Sequence, residues 1–127
     1  MEGDVLDTVG NGEAGKNDGA FTEANFHHPQ GMAIDGDHVY VADTENHLIR
    51  KLDLKAKTVK TIAGTGNQAG FMDTGGMGTF SPLNSPWDLV FLKGQLYIAM
   101  AVAHQVWGIP CFNPLLAVAK RDALMVR

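Results

Sequence analysis

Asp35, Asp37, Asp43, Glu45 and His47 place five potential metal ligands within thirteen consecutive residues, a density that would suit a bound cation. Calcium needs about six to eight converging oxygens, and Asp35-Gly36-Asp37 lacks the downstream Glu of a helix-loop-helix calcium loop. Fifty-seven positions later the same places hold Leu92, Gly94, Met100, Val102 and His104, so the carboxylates vanish as a set. They are expected to form water-facing turns. Among His27, His28, His38, His47 and His104, only His47 and His104 share that spacing. Zinc would need about three or four ligands, which equivalent histidines from several repeated units could supply around an axis. A structural hydrogen bond repeated in each unit is the preferred reading.

Gly10-Asn11-Gly12-Glu13-Ala14-Gly15 is a literal Gly-x-Gly-x-x-Gly, the spacing that cradles a dinucleotide at a helix N-terminus. The residues that follow, Lys16-Asn17-Asp18-Gly19, do not open a helix. The related stretch Gly64-Thr65-Gly66-Asn67-Gln68-Ala69-Gly70 moves the third glycine by one position, which a flexible loop tolerates and a phosphate cradle does not. No Ser, Cys or Lys has a base and elbow around it. Cys111 stands beside Pro110 with no cationic neighbour in sequence to activate it. No catalytic, metal or cofactor-binding residue is expected, and no cofactor.

The elements that position these residues are short strands. Residues 31–34, 39–43 and 47–54 are three β-runs separated by tight polar turns, Asp35-Gly36-Asp37 and Thr44-Glu45-Asn46, which predicts a three-stranded antiparallel meander. Gly36 and Asn46 are the residues expected to take positive φ. Val39 and Val41 should share one face and Tyr40 and Ala42 the other. Leu48, Arg50, Leu52 and Leu54 share a parity in the third run. Apolar residues on both faces fit a sheet sandwiched between neighbours.

The meander recurs. Pro29 and Pro86, Tyr40 and Tyr97, and His47 and His104 are each 57 positions apart, and Thr8-Val9-Gly10 matches Ile62-Ala63-Gly64 at a spacing of 54. A fixed period with strands inside it marks a repeat architecture, and four-stranded units of about this size are propeller blades. The expected fold is all-β: a partial propeller of about two four-stranded antiparallel blades. Residues 1–28 should hold an outer strand (residues 5–9) of a preceding blade and a Gly-rich connector. Residues 29–63 form one blade, 64–84 a second connector, 85–107 an incomplete second blade and 108–127 a divergent tail. Pro110 and Pro114 are expected to stop the strand pattern after Trp107, and residues 115–126 read as a possible helix capped by Asn113.

The chain has 127 residues, of which 45% are hydrophobic, and a net charge of −4. Two units cannot close a ring of about four to eight blades, so the chain is expected to be a fragment or truncated form that needs further blades for stable closure. The acidic balance opposes nucleic-acid binding, which relies on many cationic contacts. One cysteine permits no internal disulfide. The longest strongly apolar run, residues 96–103, is too short to span a bilayer, and the acidic N-terminus lacks the pattern of a secretory signal. A soluble cytoplasmic chain, with no membrane partner, is the expectation.

Asp43-Thr44-Glu45-Asn46-His47-Leu48-Ile49 resembles the Asp-x-x-Asn-His-x-Ile core of the NHL repeat, and the segments from Pro29 to Ile34 and from Val39 to Asp43 match the rest of that repeat. The resemblance covers roughly residues 1–107. It implies a six-bladed β-propeller in which Asp43, Asn46, His47, Leu48 and Ile49 are structural motif residues. In this reading Asp43 and Asn46 bond the turn backbone, and His47 sets the start of the third strand. The second unit keeps only His104 and Val106, with Met100, Ala103 and Gln105 replacing the Asp, Asn and Leu. The function implied is a non-enzymatic scaffold that binds a protein partner. The alternatives are a metal-dependent, lyase-like propeller enzyme with axial histidines and, less favoured, an RNA-binding propeller.

Overall fold

The computed structural model describes residues 2–70 and 78–111. The helix expected over residues 115–126 and most of Gly75-Gly76-Met77-Gly78 lie outside them. Two antiparallel sheets form. In the first, β2 (Pro29–Asp35), β3 (His38–Asp43), β4 (Leu48–Asp53) and β5 (Thr58–Ala63) pair in sequence order, and a two-residue β1 (Gly19–Ala20) adds to β5 at the edge. In the second, β6 (Pro86–Leu92), β7 (Gln95–Met100) and β8 (Gln105–Pro110) repeat the meander.

The repeat is written in the backbone as well as in the side chains. His28, Gly36 and His47 have φ of 51°, 56° and 54°, and their counterparts Ser85, Lys93 and His104 have 51°, 51° and 55°. At the second turn the left-handed residue is His47, one position after the Asn46 expected from sequence. Thr44–Asn46 instead closes a short 3-10 turn that buries the Asn46 side chain.

Alternation decides which residues meet. Tyr40, Ala42 and Ile49 leave one face of the first sheet and form a single core with Leu89, Leu96, Ile98 and Met100 of the second, joined by Leu83 of the connector. Tyr40 and Phe91 stack across this joint at 5.8 Å. Val41, Leu52 and Val59 leave the other face and are covered by Phe21 and Ala24. The first sheet is therefore sandwiched as its two-faced pattern required, with the second sheet on one side and the N-terminal connector on the other.

Two expectations fail at the ends. Residues 5–9 form no strand; Val5 and Leu6 are 80% and 77% exposed, and an edge run without a ladder partner has nothing to hold it extended. The third strand of the second unit does not stop at Trp107 but runs to Pro110. Pro110 pairs with Gln95 at the end of an edge strand, where its missing N–H breaks no ladder. Cys111 continues the register by donating its N–H to the Gly94 carbonyl.

Candidate functional site

Asp43 and Arg50 are both fully buried, and Arg50 Nη1 lies 2.8 Å from Asp43 Oδ2. Seven residues of sequence separate them across the β3–β4 turn, and the ladder places Asp43 opposite Leu48, so Arg50 reaches back along its own strand. Asn46 donates to the same Oδ2 at 2.7 Å and to the Gly15 carbonyl at 2.6 Å. The other carboxylate oxygen accepts the His27 N–H at 2.8 Å.

Arg50 does more than pair with Asp43. Nη1 also donates to the Asn25 carbonyl and Nη2 to the Asn17 carbonyl, each at 2.7 Å, and Nη2 meets Asp18 Oδ1 at 2.9 Å. Its guanidinium lies 4.8 Å from the centre of the Phe26 ring. Asp18 in turn accepts from the Thr61 N–H and hydroxyl on β5. The polar residues of the motif thus act as a staple: they satisfy the backbone of residues 15–27 and hold that connector against the blade. Asp43 and Asn46 bond the connector and each other, where the turn backbone was the expected partner. Gly15 is part of the fit, because a Cβ there would meet the Asn25 side chain at 2.6 Å.

Arg50 is the residue that sequence reading missed. It was visible as the one charged residue sharing parity with Leu48 and Leu52. In the second unit Met100, Ala103 and Trp107 replace Asp43, Asn46 and Arg50 together, so the staple is absent there as a set. Leu48 and Ile49 are core residues, 3% and 0% exposed.

His47 has a different task. Its Nδ1 accepts the Ser85 N–H at 2.9 Å, joining the first blade to the start of the second. Thr44 adds a second link, donating its hydroxyl to the Pro86 carbonyl at 2.6 Å. Burial holds the His47 pKa below its ordinary value, partly opposed by the Glu45 charge. An imidazole whose folded pKa is depressed contributes stability that is complete above its unfolded value, about 6.5, and is lost as pH falls through the folded one. Asp53, whose carboxylate accepts the Ala56 and Lys55 N–H groups, is depressed in the same sense, but its contribution fades only in the lower carboxylate range. Stability measured by urea unfolding is therefore expected to drop between pH 7 and pH 5. His47→Ala should cost about 1 kcal/mol at pH 7 and flatten that slope; a slope unchanged in the variant would place the titration elsewhere.

His104, in the β7–β8 turn, and Val106, on β8, are both exposed. Among the described residues no three His, Cys, Asp or Glu side chains are grouped so as to hold a metal ion. Asp37 and Glu45 lie exposed in turns, with Lys55 3.2 Å from Asp37, and Asp35 ends β2 half-buried; Asp43, expected to face water with them, is instead fully buried because Arg50 and Asn46 close over it. Cys111 packs against the inter-blade core, and burial raises its thiol pKa. A groove of about 460 Å³ opens along the stapled connector, lined by Val9, Gly12, Glu13, Phe26, His27 and His28 among others. Among the described residues no helix is long and apolar enough to cross a membrane.

Two neighbouring four- and three-stranded meanders packed face to face, with the Asp-x-x-Asn-His motif at the first β3–β4 turn, define the class: the chain carries an NHL repeat within a partial β-propeller. The NHL repeat model matches residues 26–52. Over 115 residues the chain is 48% identical to NHL repeat-containing protein 2 of Gallus gallus and 45% identical to that of Homo sapiens, in each case over 84% of this chain. It spans 16% of the length of those relatives. It is also 43% identical over 107 residues to Protein SUPPRESSOR OF QUENCHING 1, chloroplastic, of Arabidopsis thaliana.

A solved structural-genomics protein of unknown function from Bacteroides thetaiotaomicron superposes with a TM-score of 0.70 at 29% identity, over 81% of this chain and 26% of its own. A putative phosphatase from the same organism superposes with a TM-score of 0.66 at 24% identity, over 84% of this chain and 26% of its own, a likeness of fold alone.

Proposed function

We propose that the chain is a non-enzymatic scaffold that presents its stapled connector to a protein partner, in the cytoplasm. The observation that carries this reading is the use made of the motif. Asp43, Asn46 and Arg50 spend their hydrogen bonds on residues 15–27, and His47 spends one on Ser85, so the charged and polar groups of the repeat build a surface instead of a reaction centre. A loop held in place before binding loses less entropy on association, which favours recognition. The groove beside it is lined by backbone glycines, two imidazoles and one aromatic ring, a mixture suited to a peptide or loop.

A photo-crosslinking residue placed at Glu13, in the groove, is expected to capture a discrete protein partner, whereas the same residue at Lys55, on the β4–β5 turn and outside the groove lining, captures none. Equal capture at both positions, or stoichiometric binding of a small ligand in the groove without any protein, would overturn the reading. Elemental analysis separates it from the metal-dependent alternative: one zinc per chain, lost on substituting His47 or His104, would favour a lyase-like enzyme.

A further inference from the structure

Asn11-Gly12, Asp18-Gly19 and Asp35-Gly36 are the places in the chain where an Asn or Asp precedes glycine. Such a pair can cyclise, because the glycine nitrogen reaches the side-chain carbonyl carbon with no Cβ of its own in the way. An ionised carboxylate is a poor electrophile, so the amide of Asn11 is the most reactive of the three. The fold widens that difference. Asp18 is held by Arg50 Nη2 at 2.9 Å and by the Thr61 N–H and hydroxyl at 3.0 and 2.9 Å, and Gly19 pairs with Val59 on β5. Asp35 ends β2 half-buried, its backbone held opposite His38.

Asn11 is in the opposite condition. Its Oδ1 accepts the Glu13 N–H at 2.9 Å, an Asx turn that folds the side chain forward over the Gly12 peptide. The same N–H points at the oxygen on which negative charge develops when that carbonyl is attacked, as an oxyanion donor does. Among the described residues neither the Gly12 N–H nor the Asn11 Nδ2 is tied up in a hydrogen bond. Gly12 has a φ of 88° and open space where a Cβ would stand, which leaves room for a cyclic imide. It also lines the groove, so water has access to the bond. The turn itself does not call for asparagine. In the second connector Thr65 takes the place of Asn11, and its hydroxyl accepts the Asn67 N–H at 3.2 Å in the same way.

We propose that Asn11-Gly12 is a site of self-modification, where a neutral amide of the connector becomes an acid with no enzyme acting on it. The Gly12 nitrogen gives its proton to hydroxide and bonds to Asn11 Cγ. The tetrahedral centre then breaks its bond to Nδ2, which takes a proton from water and leaves as ammonia, returning the hydroxide. Water opens the resulting succinimide at either carbonyl. Opening at Cγ leaves Asp, and opening at the backbone carbonyl leaves isoaspartate, whose chain runs through Cβ.

Isoaspartate adds a backbone atom inside a span that is pinned on both sides. Gly10 and Asn11 donate their N–H groups to the Phe21 and Ala24 carbonyls at 2.8 and 2.9 Å, and Gly15 is held by the Phe26 carbonyl at 3.1 Å and by Asn46 at 2.6 Å. The longer chain must release one of these bonds. Either product also sets a new carboxylate next to Glu13, beside the groove that His27 and His28 line.

The full chain, kept warm and folded in mildly alkaline buffer, is expected to lose the Asn11 amide ahead of Asn17, Asn25, Asn46, Asn67 and Asn84, as read by peptide mapping with mass spectrometry. Isoaspartate should be the larger product, detected by methyl transfer from S-adenosylmethionine with an isoaspartate methyltransferase. The folded chain should react at least as fast as the same chain unfolded in urea, because the fold presents the pair. Asn11→Thr, which borrows the residue of the second connector, should abolish the reaction and keep the turn. Amide exchange at Gly10 and Gly15 should quicken in the incubated chain and stay unchanged in incubated Asn11→Thr. An Asn11 amide that persists in the folded chain while the unfolded chain loses it, methyl transfer undiminished in Asn11→Thr, or exchange that quickens equally in both would each overturn the proposal.

Discussion

Arg50→Ala is expected to lower the stability of the first blade by about 4 kcal/mol, the range for removing one partner of a buried ion pair. The loss has three sources. Asp43 is left as a fully buried carboxylate with Asn46 and the His27 N–H as its remaining described partners. The Asn17 and Asn25 carbonyls lose the donors that tie the connector down. Phe26 loses the cation over its ring. Urea unfolding read by tryptophan emission and limited proteolysis of residues 10–27 should report both effects, with cleavage of the connector appearing before global unfolding. A control comes from the protein itself. The triple change Asp43→Met, Asn46→Ala and Arg50→Trp installs the residues of the second unit, removing both charges of the buried pair together, and it should destabilise the sheet less than Arg50→Ala while still freeing the connector. A cost below about 1 kcal/mol for Arg50→Ala would mean that the guanidinium is ornamental to the fold.

Gly31→Ala is expected to part the two blades at a cost of about 3 kcal/mol, the upper part of the usual range for overpacking. The atoms a new Cβ would meet include the backbone Cα of Asp88 and the carbonyl of Trp87, which cannot swing aside as a side-chain tip could. The strain should be relieved by moving β6 away from β2, loosening the His47–Ser85 and Thr44–Pro86 links at the same joint. Amide exchange should then accelerate in β6 and β7 while β3 and β4 stay protected. Gly36→Ala provides the contrast: it sits in open space at a φ of 56° and should cost only about 1 kcal/mol, confined to its turn. If Gly31→Ala left β6 exchange unchanged, the close approach of the two first strands would not be holding the joint together.

The meander was legible because everything that specifies it is local. Alternation over six residues sets which face Val41 and Tyr40 take, a glycine at position 36 sets the first turn, and the 57-residue period carries the alternation to the second unit, where Lys93-Gly94 makes the turn. Those are properties of neighbouring residues and of the pleat, and no distant contact is needed to read them. Tertiary structure decided the rest. Arg50 shares a parity with Leu48 and Leu52, but its task is set only when residues 17, 18 and 25 close over it, and Asp18 meets Thr61 across 43 residues of sequence. The left-handed residue of the second turn is His47, where Asn46 was expected, while Asn46 turns inside as a donor to Asp43 and Gly15; His104 takes the same backbone with Ala103 before it. Residues 5–9 have the alternation of a strand but no neighbour to pair with, and Pro110 has the wrong chemistry for a strand interior but ends an edge. In each case the deciding quantity is whether a backbone or buried polar group finds a partner, and that partner lies far along the chain.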